Sequence, residues 1–271
     1  MTDRLLDVVA GGLRVFDLGR PMFVGMPQSS NHPKYLHSLP RRHGDMVRSD
    51  GGSAANDLII TGTHVGTHID ALAHVSQDGK LFGGAEASKA TDGGRFMDHG
   101  IHTVDPSLRR AVLLDIPKAL GITSCDGGYE VTVEDLERAS EISAPISRGD
   151  VVLIRTGWGR NFDHGSEAYL GSATGVPGVG EAGARWLSDR AIYAAGADTI
   201  AFECIAAGAG HAVLPAHKVL LVESGIYIIE ALALEELAQA GICEFTFILS
   251  PLNLVGATGS PVRPLAVVPN A

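Results

Sequence analysis

Two rhythms of hydrophobic and polar positions run through the chain. Period-two or continuous apolar runs, rich in β-branched residues, occur at 13–18, 57–63, 111–116, 150–156, 199–202, 226–230, 245–249 and 265–268, and they predict strands. Helical spacing occurs at 3–10, ended by Gly11-Gly12, and at 132–142, where Thr132 is placed to cap a first turn carrying Glu134 and Asp135. It recurs from about Glu181 to Ala194, with Ala184, Leu187, Ser188 and Ile192 on one face and Gly196 as terminator, and briefly at 235–238. Strands and helices are interspersed without regular βαβ repeats. The expected fold class is therefore α/β with a mixed sheet.

The stretch from Gly19 to about Ser53 breaks both rhythms. Pro21, Pro27, Pro33 and Pro40 punctuate it, which predicts a long irregular excursion of the kind that binds ligand or a neighbouring subunit. Within it Phe23 and Met26 are candidate apolar walls of a substrate pocket, or equally anchors of a surface loop, and His32, His37 and His43 are expected in solvent. Turn signals follow at Asp78-Gly79-Lys80 and 256–261, with an irregular segment at 83–95 and a small-residue loop at 206–210. No linker or repeat divides the chain, so one domain over residues 1–271 is expected.

Candidate chemistry concentrates at residues 63–74, Thr-His-Val-Gly-Thr-His-Ile-Asp-Ala-Leu-Ala-His. If the preceding apolar run enters His64 as a strand, His64, Gly66, His68 and Asp70 share one face, so that two imidazoles and a carboxylate converge. Zinc and manganese accept such mixed nitrogen and oxygen donors. Ala71-Leu72-Ala73 favours a helical turn that would return His74 beside Asp70, where a neutral imidazole could shuttle a proton. A helix through the whole segment is the rival geometry. It is disfavoured by Gly66 and Thr67, by the absence of a glutamate after His64, and by the rotation of Asp70 away from His68. One buried histidine is ordinarily a satisfied polar group, but four potential ligands at these spacings point to an ion.

The pattern His-x-Gly-Thr-His-x-Asp-x-x-x-His resembles the signature of the metal-dependent cyclase family, which includes bacterial kynurenine formamidases, isatin hydrolases and related amide or lactone hydrolases. Residues 153–158, 196–199, 215–217 and 258–263 carry the likeness over nearly the full length, and Leu72 stands where the family has proline. The resemblance implies a swivelling β/β/α fold, a barrel-like mixed sheet flanked by helices. It also implies a late histidine and glutamate beside the metal, matched here by His217 and Glu230. Glu230 closes an apolar run and would need a partner if buried, which an ion supplies. His211 has no such support and is expected to be local structure.

Composition narrows the function further. A net charge of −10 disfavours nucleic acid and anionic membranes as partners, and 45% hydrophobic residues suffice for a core. No leader-like segment or spanning run is evident, so a cytoplasmic protein is expected. Cys125, Cys204 and Cys243 show no CxxC spacing, which suggests neither a disulfide framework nor a thiolate site. The expected activity is hydrolysis of an amide C–N bond in a small aromatic formamide or cyclic amide, using one or two Mn²⁺ or Zn²⁺ ions. A lactone is the alternative substrate. A non-catalytic metal module is disfavoured by the absence of cysteine from the cluster, and a serine hydrolase by the absence of G-x-S-x-G. The resembling enzymes imply a homodimer or homotetramer.

Overall fold

Nine strands join in one sheet: β1 (Leu13–Asp17), β2 (His68–Asp70), β3 (Ser107–Asp115), β4 (Val151–Arg155), β5 (Ala194–Ala197), β6 (Tyr227–Glu230), β7 (Glu244–Leu249), β8 (Gly259–Pro261) and β9 (Leu265–Pro269). Their order is β1-β9-β7-β3-β4-β5-β6-β2-β8. The pairs β3/β4, β4/β5 and β5/β6 are parallel, and the remaining neighbours are antiparallel. The computed structural model describes residues 4–270 of the 271.

The parallel centre is buried on both faces, which is why β4 reads as the unbroken apolar run Val-Val-Leu-Ile before Arg155. On one face Val112, Leu114, Val152, Ile154 and Ile228 pack against Leu136, Ala184, Leu187 and Leu220 from the covering helices. On the other, Leu113, Leu153, Ile229 and Ile69 join Phe16, Phe247 and Ala266 from the antiparallel wing, so that the sheet curls over its own second core. Each such side chain contributes about 1.5–3 kcal/mol by leaving water. The helix Val133–Glu141 begins with a reciprocal capping box between Thr132 and Asp135. Loss of such a cap costs about 1 kcal/mol.

This is the expected mixed, barrel-like sheet flanked by helices, but several elements differ from the sequence pattern. The predicted strand into His64 ends at Ile60; residues Asn56–Ile60 pair with Leu36–Arg41 in a separate hairpin within the supposedly irregular excursion. Both hairpin strands are exposed along their length. The helix expected to run to Ala194 stops at Asp189. Ala191 then takes φ 51° and Ala-Ala-Gly-Ala becomes β5. Helix propensity is overridden there by space: a Cβ on Gly196 would lie 2.8 Å from Leu232 Cδ1 and 2.9 Å from Leu153 Cδ2. Residues 199–202 form bends instead of a strand, and β3 begins earlier than the predicted 111–116, at Ser107, and ends at Asp115. The first helix is Arg4–Ala10, and Asp3 lies outside the described residues. No helix among the described residues is long and apolar enough to cross a membrane.

Candidate metal centre

The site is built on β2, a strand of three residues held between β6 and β8. Alternation along β2 sends Ile69 into the core and turns His68 and Asp70 together to the opposite face. The register sets Glu230 of β6 opposite His68 and Ile228 opposite Asp70, so the glutamate that ends an apolar strand arrives beside the histidine. His217 comes from the turn Pro215–His217, after which the chain continues as a wide helix Lys218–Ser224.

Four side chains then form a closed cycle. His68 Nε2 lies 3.5 Å from Asp70 Oδ1 and 3.4 Å from Glu230 Oε2, and His217 Nε2 lies 3.4 Å from Asp70 Oδ2 and 3.4 Å from Glu230 Oε1. These separations exceed an ordinary N–H···O hydrogen bond. Each matches the spacing of two donors that share a tetrahedral cation at roughly 2.1 Å, which is about 3.4 Å, and each carboxylate turns one oxygen to His68 and the other to His217. Other contacts orient the ligands. His68 Nδ1 donates to the Gly66 carbonyl at 2.8 Å, and His217 Nδ1 donates to Glu203 at 2.7 Å, leaving both Nε2 atoms facing the centre. Asp70 Oδ2 is buried and makes no hydrogen bond. An unpartnered carboxylate oxygen is costly unless a cation meets it.

Charge accounting points the same way. Asp70, Glu203 and Glu230 are all buried, and no lysine or arginine among the described residues pairs with them. Burial works against charge on His68, yet the contact with Glu230 and the charges of Asp70 and Glu230 outweigh it and push the imidazole up to about 9. His217 is likewise driven well above its ordinary value against the cost of burial, chiefly by Glu203. Burial opposes ionisation of Asp70 and Glu203 too, but the surrounding histidines hold both below the usual carboxylate range. The residues fit a divalent ion, because without one the cluster must take up protons to balance its carboxylates.

His64 reaches the site by a turn and not along the strand of His68, which corrects the shared-face geometry expected from the sequence. Gly66, at φ 71°, makes that turn. His64 Nδ1 lies 2.6 Å from Asp70 Oδ1, and Nε2 lies 2.8 Å from Thr258 Oγ1. Its ring has room because residue 259 is glycine; a Cβ there would lie 2.5 Å from His64 Cε1. His74 follows a turn closed by its backbone N–H donating to the Ala71 carbonyl, and its ring stacks on His64 with centroids 3.8 Å apart. Burial pulls His74 down to about 3, only partly countered by Asp70. The donor atoms of His64, Asp70 and His74 lie within 4.8 Å of one another, a third such group beside His68–Asp70–Glu230 and Glu203–His217–Glu230.

A cavity of about 210 Å³ opens onto these histidines and Glu230. His32, expected in solvent, is partly buried in its wall with its ring 5.5 Å from that of His64, and His211 also lines it. Phe23 and Met26 do not. Met26 is 2% exposed in a cluster with Tyr35, Val65, Trp158 and Phe162, one layer behind Ile200 of the wall. Phe23 is half exposed with its ring edge against Phe162. The sequence reading missed Glu203, although the argument applied to Glu230 holds equally for a glutamate after Ile200-Ala201-Phe202.

A family model described as putative cyclase matches residues 16–204. The chain belongs to the cyclase family. Among relatives, the isatin hydrolase of Roseibium aggregatum is 24% identical over 269 residues, covering 97% of this chain and 95% of that protein. Cyclase-like protein 3 of Oryza sativa subsp. japonica is 27% identical over 218 residues, which is 79% of this chain, and the match spans only 66% of the rice protein. A crystal structure described as a novel cyclase superposes with a TM-score of 0.83 at 27% identity, covering 98% of this chain and 93% of that one. The cyclase family match encloses the whole His64–His74 segment and Glu203, while His217 and Glu230 lie beyond it.

Proposed function

We propose that this chain is a metal-dependent hydrolase that cleaves the C–N bond of a small carboxamide, an aryl formamide or a cyclic amide. The observation that carries the reading is the closed cycle of His68, Asp70, His217 and Glu230 around a buried carboxylate oxygen with no partner. Similarity to a protein named isatin hydrolase supports it, isatin being a cyclic amide.

In this reading His64, His68 and Asp70 hold one Mn²⁺ or Zn²⁺ ion, and His217 and Glu230 extend the donor set toward a second position sharing Asp70. When bound, the ion supplies Lewis acidity, drawing charge from the scissile carbonyl and making water acidic enough to ionise near neutral pH. Glu203 fixes the tautomer of His217 by accepting its Nδ1 proton. Thr258 and Gly259 fix the ring of His64. His74 lines the cavity beside His64 and acts as the proton carrier. It accepts a proton from the attacking water as the O–C bond forms and returns it to the nitrogen as the C–N bond breaks. A lactone is a second possible substrate, since the same attack applies to an ester carbonyl. A second subunit is part of this reading, because Leu36, Leu58, Ile59 and Ile60 leave the hairpin half exposed.

The test is metal analysis joined to turnover of N-formylkynurenine, isatin and simple lactones. Chelated protein is expected to lose hydrolysis and regain it with Mn²⁺ or Zn²⁺. Full turnover by protein shown to be metal-free would refute the proposal.

A further inference from the structure

We propose that a second chamber beside the metal-lined cavity receives the substituent of the substrate and selects an uncharged one, with an apolar body and a hydrogen-bonding edge, over an anion or zwitterion. This rests on the hydrolase reading above.

The cavity facing the histidines holds about 210 Å³, below the about 300–1,000 Å³ typical of small-molecule sites. Next to it lies a chamber of about 310 Å³, and the two share Ser29, Asn31, Ile200 and His211 as a common wall. Joined, they fall inside the usual range. Asn31 Nδ2 donates to His211 Nδ1 at 3.3 Å, tying the two loops that meet at the junction.

The chamber has a distinct chemistry. Leu170, Ile200 and Ile205 give it apolar surface; Ile200 and Ile205 are backed by the cluster that contains Met26, Phe162 and Tyr169. Ser29, Ser30 and Ser172 offer hydroxyls. Among the described residues lining it none is Lys, Arg, Asp or Glu. A carboxylate or ammonium entering there would give up water for no opposite charge, whereas an amide or hydroxyl edge would find hydroxyl partners. The metal-facing cavity contributes Glu230 and no lysine or arginine, and its histidines His68 and His217 already face Asp70 and Glu230, so it offers a substrate carboxylate no second place to pair except the metal that the carbonyl requires.

The experiment uses a matched pair, 4-formamidobenzamide and 4-formamidobenzoate, on protein of verified metal content. Binding is measured by calorimetry and turnover by loss of the formyl group. Wild type is expected to favour the neutral compound by at least about tenfold in both affinity and kcat/KM. Ser172→Arg, at an exposed position on the chamber wall, is expected to shift that ratio toward the anion by a similar factor. Equal binding of the two compounds, or a ratio that Ser172→Arg leaves unchanged, would overturn the subsite. If neither compound is hydrolysed while the binding preference and its reversal hold, the hydrolase reading falls and the neutral-selective chamber stands.

Discussion

Glu203→Gln isolates the contribution of one carboxylate that touches no substrate. Both of its oxygens serve His217: Oε2 lies 2.7 Å from Nδ1, and Oε1 accepts from the His217 backbone N–H at 2.7 Å and lies 2.8 Å from Nδ1. Glutamine keeps the volume and can keep one acceptor, so the fold should survive, but the charge that makes the imidazole a strong donor is removed. Loss of such an outer partner typically weakens metal affinity by about 10- to 100-fold. That range corresponds to roughly 1.4–2.8 kcal/mol. Calorimetric titration of chelated protein with Zn²⁺ at fixed pH reads it directly, and circular dichroism of the same sample checks the fold. Wild-type affinity in a folded Glu203→Gln protein would refute the role assigned to Glu203, and with it the claim that His217 faces the ion through Nε2.

Three further outcomes follow from the geometry. His74→Ala is expected to keep its metal and lose about 100- to 10,000-fold in kcat. His68→Ala should lose the metal itself; metal content measured beside kcat reverses the assignment if the two results are exchanged. For chelated protein, His68 is raised from an ordinary 6.5 to about 9, so its stabilising contribution is complete below 6.5 and lost as pH climbs through 9, with His217 acting in the same direction. The melting temperature of the metal-free protein should therefore fall between pH 6.5 and 9, and saturating metal should flatten that slope; a melting temperature rising over the range would contradict the charge balance. Light scattering is expected to give a dimer or tetramer, and Ile59→Glu in the exposed hairpin to reduce the assembly; an active monomeric wild type at micromolar concentration would refute this.

The mixed fold and the clustering of histidines with a carboxylate were legible because they rest on short-range pattern. Continuous apolar runs marked β4 and β6, and the spacing of His64, His68, Asp70 and His74 marked the centre. What escaped depended on space or on distant pairing. Ala-Ala-Gly-Ala reads as helix by propensity, but only small residues let β5 lie between Leu153 and Leu232. The segment before His64 has strand composition, yet its partner is the Pro40-containing run at Leu36–Arg41, so that strand never reaches the site. Glu203 owes its role to the placement of His217 fourteen residues later, which no local period encodes.

The brevity of β2 carries a consequence for how this protein matures. A three-residue strand has almost no stability of its own and is defined by β6 and β8, whose residues lie about 160 and 190 positions further along the chain. Closing such long intervals is slow relative to local helix formation, so the insertion of β2 belongs among the late events of folding. The donor set does not exist before that insertion. Binding then draws the population toward the finished state in proportion to RT ln(1 + [M]/Kd) and ties the early and late halves of the chain together. The ion would thus act as a latch on completed folding as well as a reagent, and metal supply during synthesis would govern yield before it governs rate.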